Sequence, residues 1–571
     1  YDITTRLVGS EMCIRDRMHS ALQREKLTAA NRTVLSSQLA FHAMQRRRFL
    51  ENSALASLPL FSSLALLPGC AVYERNIHSD DRPSADAPAG RFRGVRQPDT
   101  SIQVYLGIPF MKNPYEPVRR FLAPQPMERI ADTLDCVKHG ALPLQPGPDG
   151  AMIGGDGPLC LNIWVPRDAT PRSRFPVMVW VPGGGSIRCA QNDERFDGTH
   201  FAAHGCILVT LAYRVNIDGF LKIRGGDSNL GVRDIIMGLR WVKDNIAAFG
   251  GDPQVVTAFG QSAGGTHLVD VVASPYAQGL LRGAIIQSPS AVAQWRSDAQ
   301  ADRAAEFVAQ GLGAEPTRES LAKVPFEKLS DLPKIAGRLA ADPEWAKFTD
   351  GNVSLFKGWI DQDVIPELPV DALRKGAARK MAFIVGSTSS EWRYYIVPNG
   401  AIAKKNRSSA AALIAGANRP ETVLEAYARV NRGKTWGDCF AQIQSDLIFR
   451  MPCVKLAESL AAGGAQVWTY DFAWESPVKG KSGASLGAAH TVDVPFVFQN
   501  LSAPRAVRTI GERPPQALAQ AMHSAWLTFA KTGCAPWTPF SLDTRRAMRF
   551  DAKSQEVSDP WAFERLSLPA R

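Results

Sequence analysis

Along residues 231–265 the spacing of apolar positions changes from a helical period to an extended one. Ile235, Ile236, Leu239, Val242 and Ile246 fall on one helical face. Gly250, Gly251, Asp252 and Pro253 end that helix and turn the chain. Val255, Val256, Thr257, Ala258 and Phe259 form a β-branched and aromatic run that predicts a short buried strand, and residues 265–273 predict a helix directly after it. Three further apolar runs are bounded by Pro and Gly: LNIWVP (161–166), VMVWVP (177–182) and ILVTLAYR (207–214). Later strands are expected at GAIIQS (283–288), AFIVGS (382–387) and VWTYDF (467–472). Continuous apolar runs of this kind fit strands covered on both faces. Residues 298–380 are largely helical in character, and no internal repeat is visible.

With 571 residues, 45% hydrophobic and 21% charged, the chain has the composition of a soluble globular protein with a large core. The net charge of +11 is a modest bias. No basic run is interleaved with aromatics, so no nucleic-acid partner is expected. Residues 1–17 have no periodicity and resemble translated sequencing-adapter read-through; residues 18–43 are expected to be an upstream extension. After Met44, the pair Arg46 and Arg47 precedes an apolar run at 54–67 that is too short to span a bilayer. Residues 44–69 thus resemble a twin-arginine export signal, and Leu67-Pro68-Gly69-Cys70 resembles a lipobox with Cys70 as the lipidated residue. Residues 70–90, rich in Pro, Ala, Asp and Ser, are expected to be a tether, and 91–571 the folded domain. The expected location is the periplasm of a bacterium, free or held to the membrane only by that lipid.

Nine cysteines occur without a C-x-x-C pair. His200 and His204 stand four apart near Asp197, but nothing completes a ligand set, so neither metal nor cofactor is expected. Gly260-Gln261-Ser262-Ala263-Gly264 has the G-x-S-x-G pattern of a nucleophile elbow, and it lies between a strand and a helix as that motif requires. The tight turn leaves room only for small residues two before and two after the serine. A serine hydroxyl becomes a nucleophile at neutral pH only beside a base, which a third group orients.

The segment LRWVKDNIAAFGGDPQVVTAFGQSAGG (239–265) resembles the signature of the type-B carboxylesterases, the cholinesterase-like branch of the α/β-hydrolases. GIPF (107–110), RRFLAPQP (119–126) and WLTFAKTG (526–533) resemble the opening and closing segments of that family. The resemblance implies an α/β-hydrolase fold, with a twisted, mainly parallel sheet flanked by helices and with helical insertions at 298–380. It also implies cleavage of a small-molecule ester through an acyl-enzyme. Ser262 maps onto the nucleophile, Glu391 onto the acid and His490 onto the base, in the chain order of the family. Gly184 and Gly185, with Ala263, map onto the donors of the oxyanion hole. His267, on the elbow helix, should point away from the Ser262 hydroxyl. Cleavage of amides or thioesters, and a catalytically inactive binding or adhesion module, remain as alternatives.

The chain departs from the family's pattern at several places. Gln261 stands where Glu is usual and Trp392 where Gly is usual, while Pro182 and Ser186 flank the glycines in place of larger residues. The family's bridged cysteines map onto Pro143 and Pro158, so the loop between them is expected to lack its disulfide; Cys136 and Cys160 are the nearest alternative pair. Residues 144–157 contain no aromatic side chain, whereas cholinesterases hold their quaternary ammonium on a tryptophan from this loop. Little preference for choline esters over neutral esters of similar size is therefore expected.

Overall fold

The computed structural model describes residues 82–290, 296–340 and 355–568. The expected export signal, Cys70 and residues 70–81 of the expected tether lie outside them. The centre is an eleven-stranded sheet. In chain order its strands are β1 (Val95–Arg96), β2 (Gln103–Pro109), β3 (Cys160–Val165), β4 (Phe175–Val181), β5 (Ile207–Leu211), β6 (Gly251–Gln261), β7 (Gly283–Gln287), β8 (Ala382–Thr388), β9 (Gln466–Phe472), β10 (Arg546–Phe550) and β11 (Gln555–Ser558). Across the sheet they run β11-β10-β9-β8-β7-β6-β4-β5-β3-β2-β1. From β10 to β5 every pairing is parallel, and the outer pairings are antiparallel.

The continuous apolar runs account for this centre. Every residue of β3, β5, β7 and β8 is buried, as strands covered by helices on both faces must be. Helix α1 (Leu230–Asn245) buries Ile235, Ile236, Leu239 and Val242, the stripe read from the sequence. On the other face Trp180 of β4 packs against Phe259 of β6 and Phe498, with ring centroids 4.8 and 5.1 Å away. Phe498 ends a short helix (Val494–Phe498) just after His490, so this cluster fixes that loop to the sheet. Helix α2 (Ala263–Ala273) follows β6. Helix α3 (Gln516–Thr532) closes with Gly533 in the left-handed conformation. The 298–380 tract contains the helices Asp298–Leu312, Arg318–Ala322, Leu332–Ala340 and Pro369–Arg374. Among the described residues no helix is long and apolar enough to cross a membrane.

Two expectations need correction. Residues 84–90 are not a tether: Ser84–Ala87 pairs antiparallel with Gly90–Arg93. Ala85 and Ala87 face inward while Ser84 and Asp86 face solvent, an alternation concealed by the polar, proline-containing composition. The strand before the elbow starts at Gly251 rather than Val255, but its ladder with β4 breaks between Gly251 and Val256, where Pro253 has no N–H to donate. The seven described cysteines are all free, Cys136 and Cys160 included.

His204 and His523 meet in a contact that sequence spacing did not show. The Nδ1–H of His523 donates to the Val497 carbonyl at 2.8 Å, leaving its Nε2 to accept from His204 Nδ1 at 3.1 Å. Burial, with His204 and His200 adding to it, lowers the His523 pKa to about 4. The folded state therefore disfavours the charged ring. Its contribution is intact above the ordinary value of about 6.5 and is lost as pH falls toward 4, a loss worth about 3 kcal/mol. The stability difference between the native chain and His523→Phe should shrink by about that amount between pH 7.5 and pH 4 in denaturant titrations. A difference that stays constant with pH would show that His523 titrates alike in the folded and unfolded states.

Candidate active site

Ser262, Glu391, His490, Gly184 and Gly185 lie in connections that follow the carboxyl ends of the parallel strands, and Ala263 opens α2. Ser262 comes directly after β6 with φ 60° and ψ −128°, a conformation that an L-residue holds only under constraint. The constraint is visible: the Ser262 N–H donates to the Gln287 carbonyl at the end of β7, at 2.9 Å. A Cβ on Gly264 would collide with the Val181 carbonyl, so the elbow packs against β4 only with glycine there. Ser262 is half-buried.

Glu391 and His490, 99 residues apart in the chain, are joined by a direct hydrogen bond from His490 Nδ1 to Glu391 Oε2. Glu391 has no exposed surface. Its Oε1 accepts the Thr388 N–H at 2.7 Å and the Ser288 hydroxyl at 2.6 Å. The His490 N–H donates to the Glu391 carbonyl at 3.1 Å, so backbone and side chain fix the pair together. With Nδ1 committed to the carboxylate, Nε2 is the nitrogen left to exchange a proton. Gln261, the residue before Ser262, places its amide nitrogen 3.2 Å from Nε2 and 3.3 Å from Nδ1. A nearly equal distance from both nitrogens puts the amide against the ring face rather than along either lone pair. This brings His490 to the elbow. Because the side chain is an amide, the imidazole has one contacting carboxylate rather than two.

The loop after β4 lies over the elbow, and a Cβ on Gly183 would meet the Gln261 carbonyl and Ser262 Cβ. Gly184 (φ 139°) and Gly185 (φ 65°) are exposed and take conformations that favour glycine. Pro182 has no N–H, but its carbonyl accepts the Tyr213 hydroxyl at 2.6 Å, so the loop is still anchored at its root. His267 lies on α2 with its Nε2 3.0 Å from the Ser186 hydroxyl.

Other residues of this neighbourhood were not visible from the sequence. Ser288, the residue just after β7, orients Glu391 through its hydroxyl. Phe449 packs its ring 4.6 Å from that of His490, with Tyr395 and Tyr394 at 5.7 and 6.0 Å. Phe449 stands in a single π-helical turn (Asp446–Arg450), a distortion that turns its side chain relative to a regular helix. Asp493 is fully buried and accepts from Gln287 and the Tyr470 hydroxyl at 3.0 and 3.1 Å. Burial, then the nearby Glu391 charge, raises its pKa to about 6. A separate cleft of about 510 Å³, lined by Arg393, Asp438 and Lys434 among others, includes none of the candidate residues.

Residues 81–564 match the sequence profile described as the carboxylesterase family. The chain is 30% identical over 495 residues to a para-nitrobenzyl esterase of Bacillus subtilis, covering 84% of this chain and 97% of that protein. It is 32% identical to human bile salt-activated lipase over 470 residues, which is 76% of this chain and 60% of the lipase. Among solved structures, a Geobacillus stearothermophilus carboxylesterase superposes with a TM-score of 0.72 at 31% identity, covering 84% of this chain and 99% of that one.

Proposed function

This chain belongs to the carboxylesterase family and is a carboxylic ester hydrolase, and we propose that it works through an acyl-enzyme formed on Ser262. His490 Nε2 takes the Ser262 proton as the oxygen attacks the ester carbonyl. Glu391 holds the imidazole in the required tautomer and balances the charge that develops on it. The N–H groups of Gly184, Gly185 and Ala263 receive the oxyanion. His490 then gives its proton to the departing alcohol, and water repeats the sequence on the acyl-enzyme. The observation that carries this reading is the buried hydrogen bond between Glu391 and His490, with the imidazole lying against the residue that precedes Ser262.

Substrate charge follows from the rim. Arg188, three residues past Gly185, donates its Nε to the Pro146 carbonyl at 3.0 Å, in the loop that lacks aromatics. Among the described residues no carboxylate forms an ion pair with it, and its exposed guanidinium keeps its charge. Tyr394, which flanks His490, is an ionisable group close enough to act on it. A quaternary ammonium would therefore meet a cation and no aromatic face from this loop. A panel of chromogenic short-chain esters, their amides and choline esters should show turnover of neutral esters, with kcat/KM for a choline ester no higher than for its uncharged isostere. Any deficit should shrink as salt rises. No ester turnover at all would favour a binding module, and a tenfold choline preference would place an ammonium site elsewhere in the pocket.

A further inference from the structure

Ser186 has no part in the steps above, yet it is 5% exposed and sits at φ 58°, directly after Gly185. Its Oγ is 3.0 Å from Nε2 of His267, on helix α2. The His267 ring stacks on Phe220, with centroids 4.2 Å apart and planes 13° from parallel, and meets Tyr213 edge-on at 5.6 Å. Its Nδ1 faces Asp270 Oδ2 at 3.5 Å. In the tautomer that carries its proton on Nδ1, facing that carboxylate, Nε2 accepts the Ser186 O–H. The Ser186 carbonyl in turn accepts the Asn216 N–H at 2.8 Å. This chain of serine, histidine and carboxylate lies in the core, so its hydroxyl has no access to substrate.

Its position suggests another use. The oxyanion donors come from two separate elements, Gly184 and Gly185 from the loop after β4 and Ala263 from the start of α2. Such donors act only when held within a fraction of an ångström of one another. Gly185 has open space where its Cβ would be, so no side-chain packing fixes it. Asn216 and Arg188 tie down the far side of the loop, at Ile187 and Pro146. The link from Ser186 to His267 joins the loop to the elbow helix itself, one residue from Gly185 and four from Ala263.

We propose that Ser186 and His267 are positioning residues that lock the glycine loop to the elbow helix and keep the oxyanion donors in register. The inference rests on the acyl-enzyme reading given above. Ser186→Gly removes the hydroxyl while easing the backbone at φ 58°, so melting temperature should not fall. Its kcat on a short-chain ester should drop about ten- to a hundredfold with KM within about twofold. Affinity for a trifluoromethyl ketone, whose adduct carries an oxyanion, should weaken by a similar factor, while inhibition by product alcohol stays the same. His267→Phe keeps the stacked ring but loses the nitrogen and should show the same split. The double variant should be no worse than the poorer single one, because both remove one link. Wild-type kcat in both single variants, or losses that multiply in the double, would overturn the proposal while leaving the esterase reading intact. Absence of turnover in the native chain would instead overturn the reading on which it rests.

Discussion

Ser262→Ala should reduce ester turnover by roughly five orders of magnitude while leaving thermal unfolding nearly unchanged. The serine stands at φ 60°, held by its N–H bond to Gln287 and by the fit of Gly264 under Val181. None of these contacts uses the hydroxyl, so its loss removes chemistry and not structure. What remains should be the modest acceleration that bound water gains from an intact oxyanion hole. His490→Ala should be about as damaging, and the two changes together no worse than either, since nucleophile and base act as a unit. Measured kcat values beside melting curves decide this. A Ser262→Ala protein that still turns over ester at a tenth of the native rate would exclude the acyl-enzyme.

Glu391→Gln should lower kcat by roughly three to four orders of magnitude. The native carboxylate accepts from three donors: the Thr388 N–H, the Ser288 hydroxyl and His490 Nδ1. An amide offers one acceptor oxygen. If that oxygen faces Thr388 and Ser288, its NH2 faces His490 and forces the proton to Nε2, where the base can no longer accept. If it faces His490, the NH2 opposes two buried donors, at a cost of about 1–3 kcal/mol. Either orientation is damaging, so lost activity should come with a measurable fall in melting temperature, unlike in Ser262→Ala. Full activity in a correctly folded Glu391→Gln protein would remove Glu391 from the catalytic role.

Local signals in the sequence were enough for much of this architecture. The 3.6-residue stripe of α1, the fully apolar strands and the G-x-S-x-G elbow each carry their information within a dozen residues. Glu391 and His490 were legible in a different way. Each is an ordinary polar residue in its own segment, and only resemblance to the carboxylesterases set them apart. What the sequence concealed depends on contacts between distant segments. Ser288 reaches Glu391 across 103 residues, and Ser186 reaches His267 across 81. Phe449 meets His490 only because a π-helical turn interrupts the regular helix before it. The strand at 84–87 was hidden for the opposite reason, since alanine makes a short inward-facing stripe look like linker.

The most direct measurement is to treat the native protein with a fluorophosphonate and locate the adduct by peptide mass spectrometry. One equivalent should bind, on the peptide that carries Ser262, with complete loss of esterase activity. Labelling should vanish in Ser262→Ala and slow severely in His490→Ala. An adduct on another serine, or full inactivation without any change at Ser262, would contradict the assignment of the nucleophile.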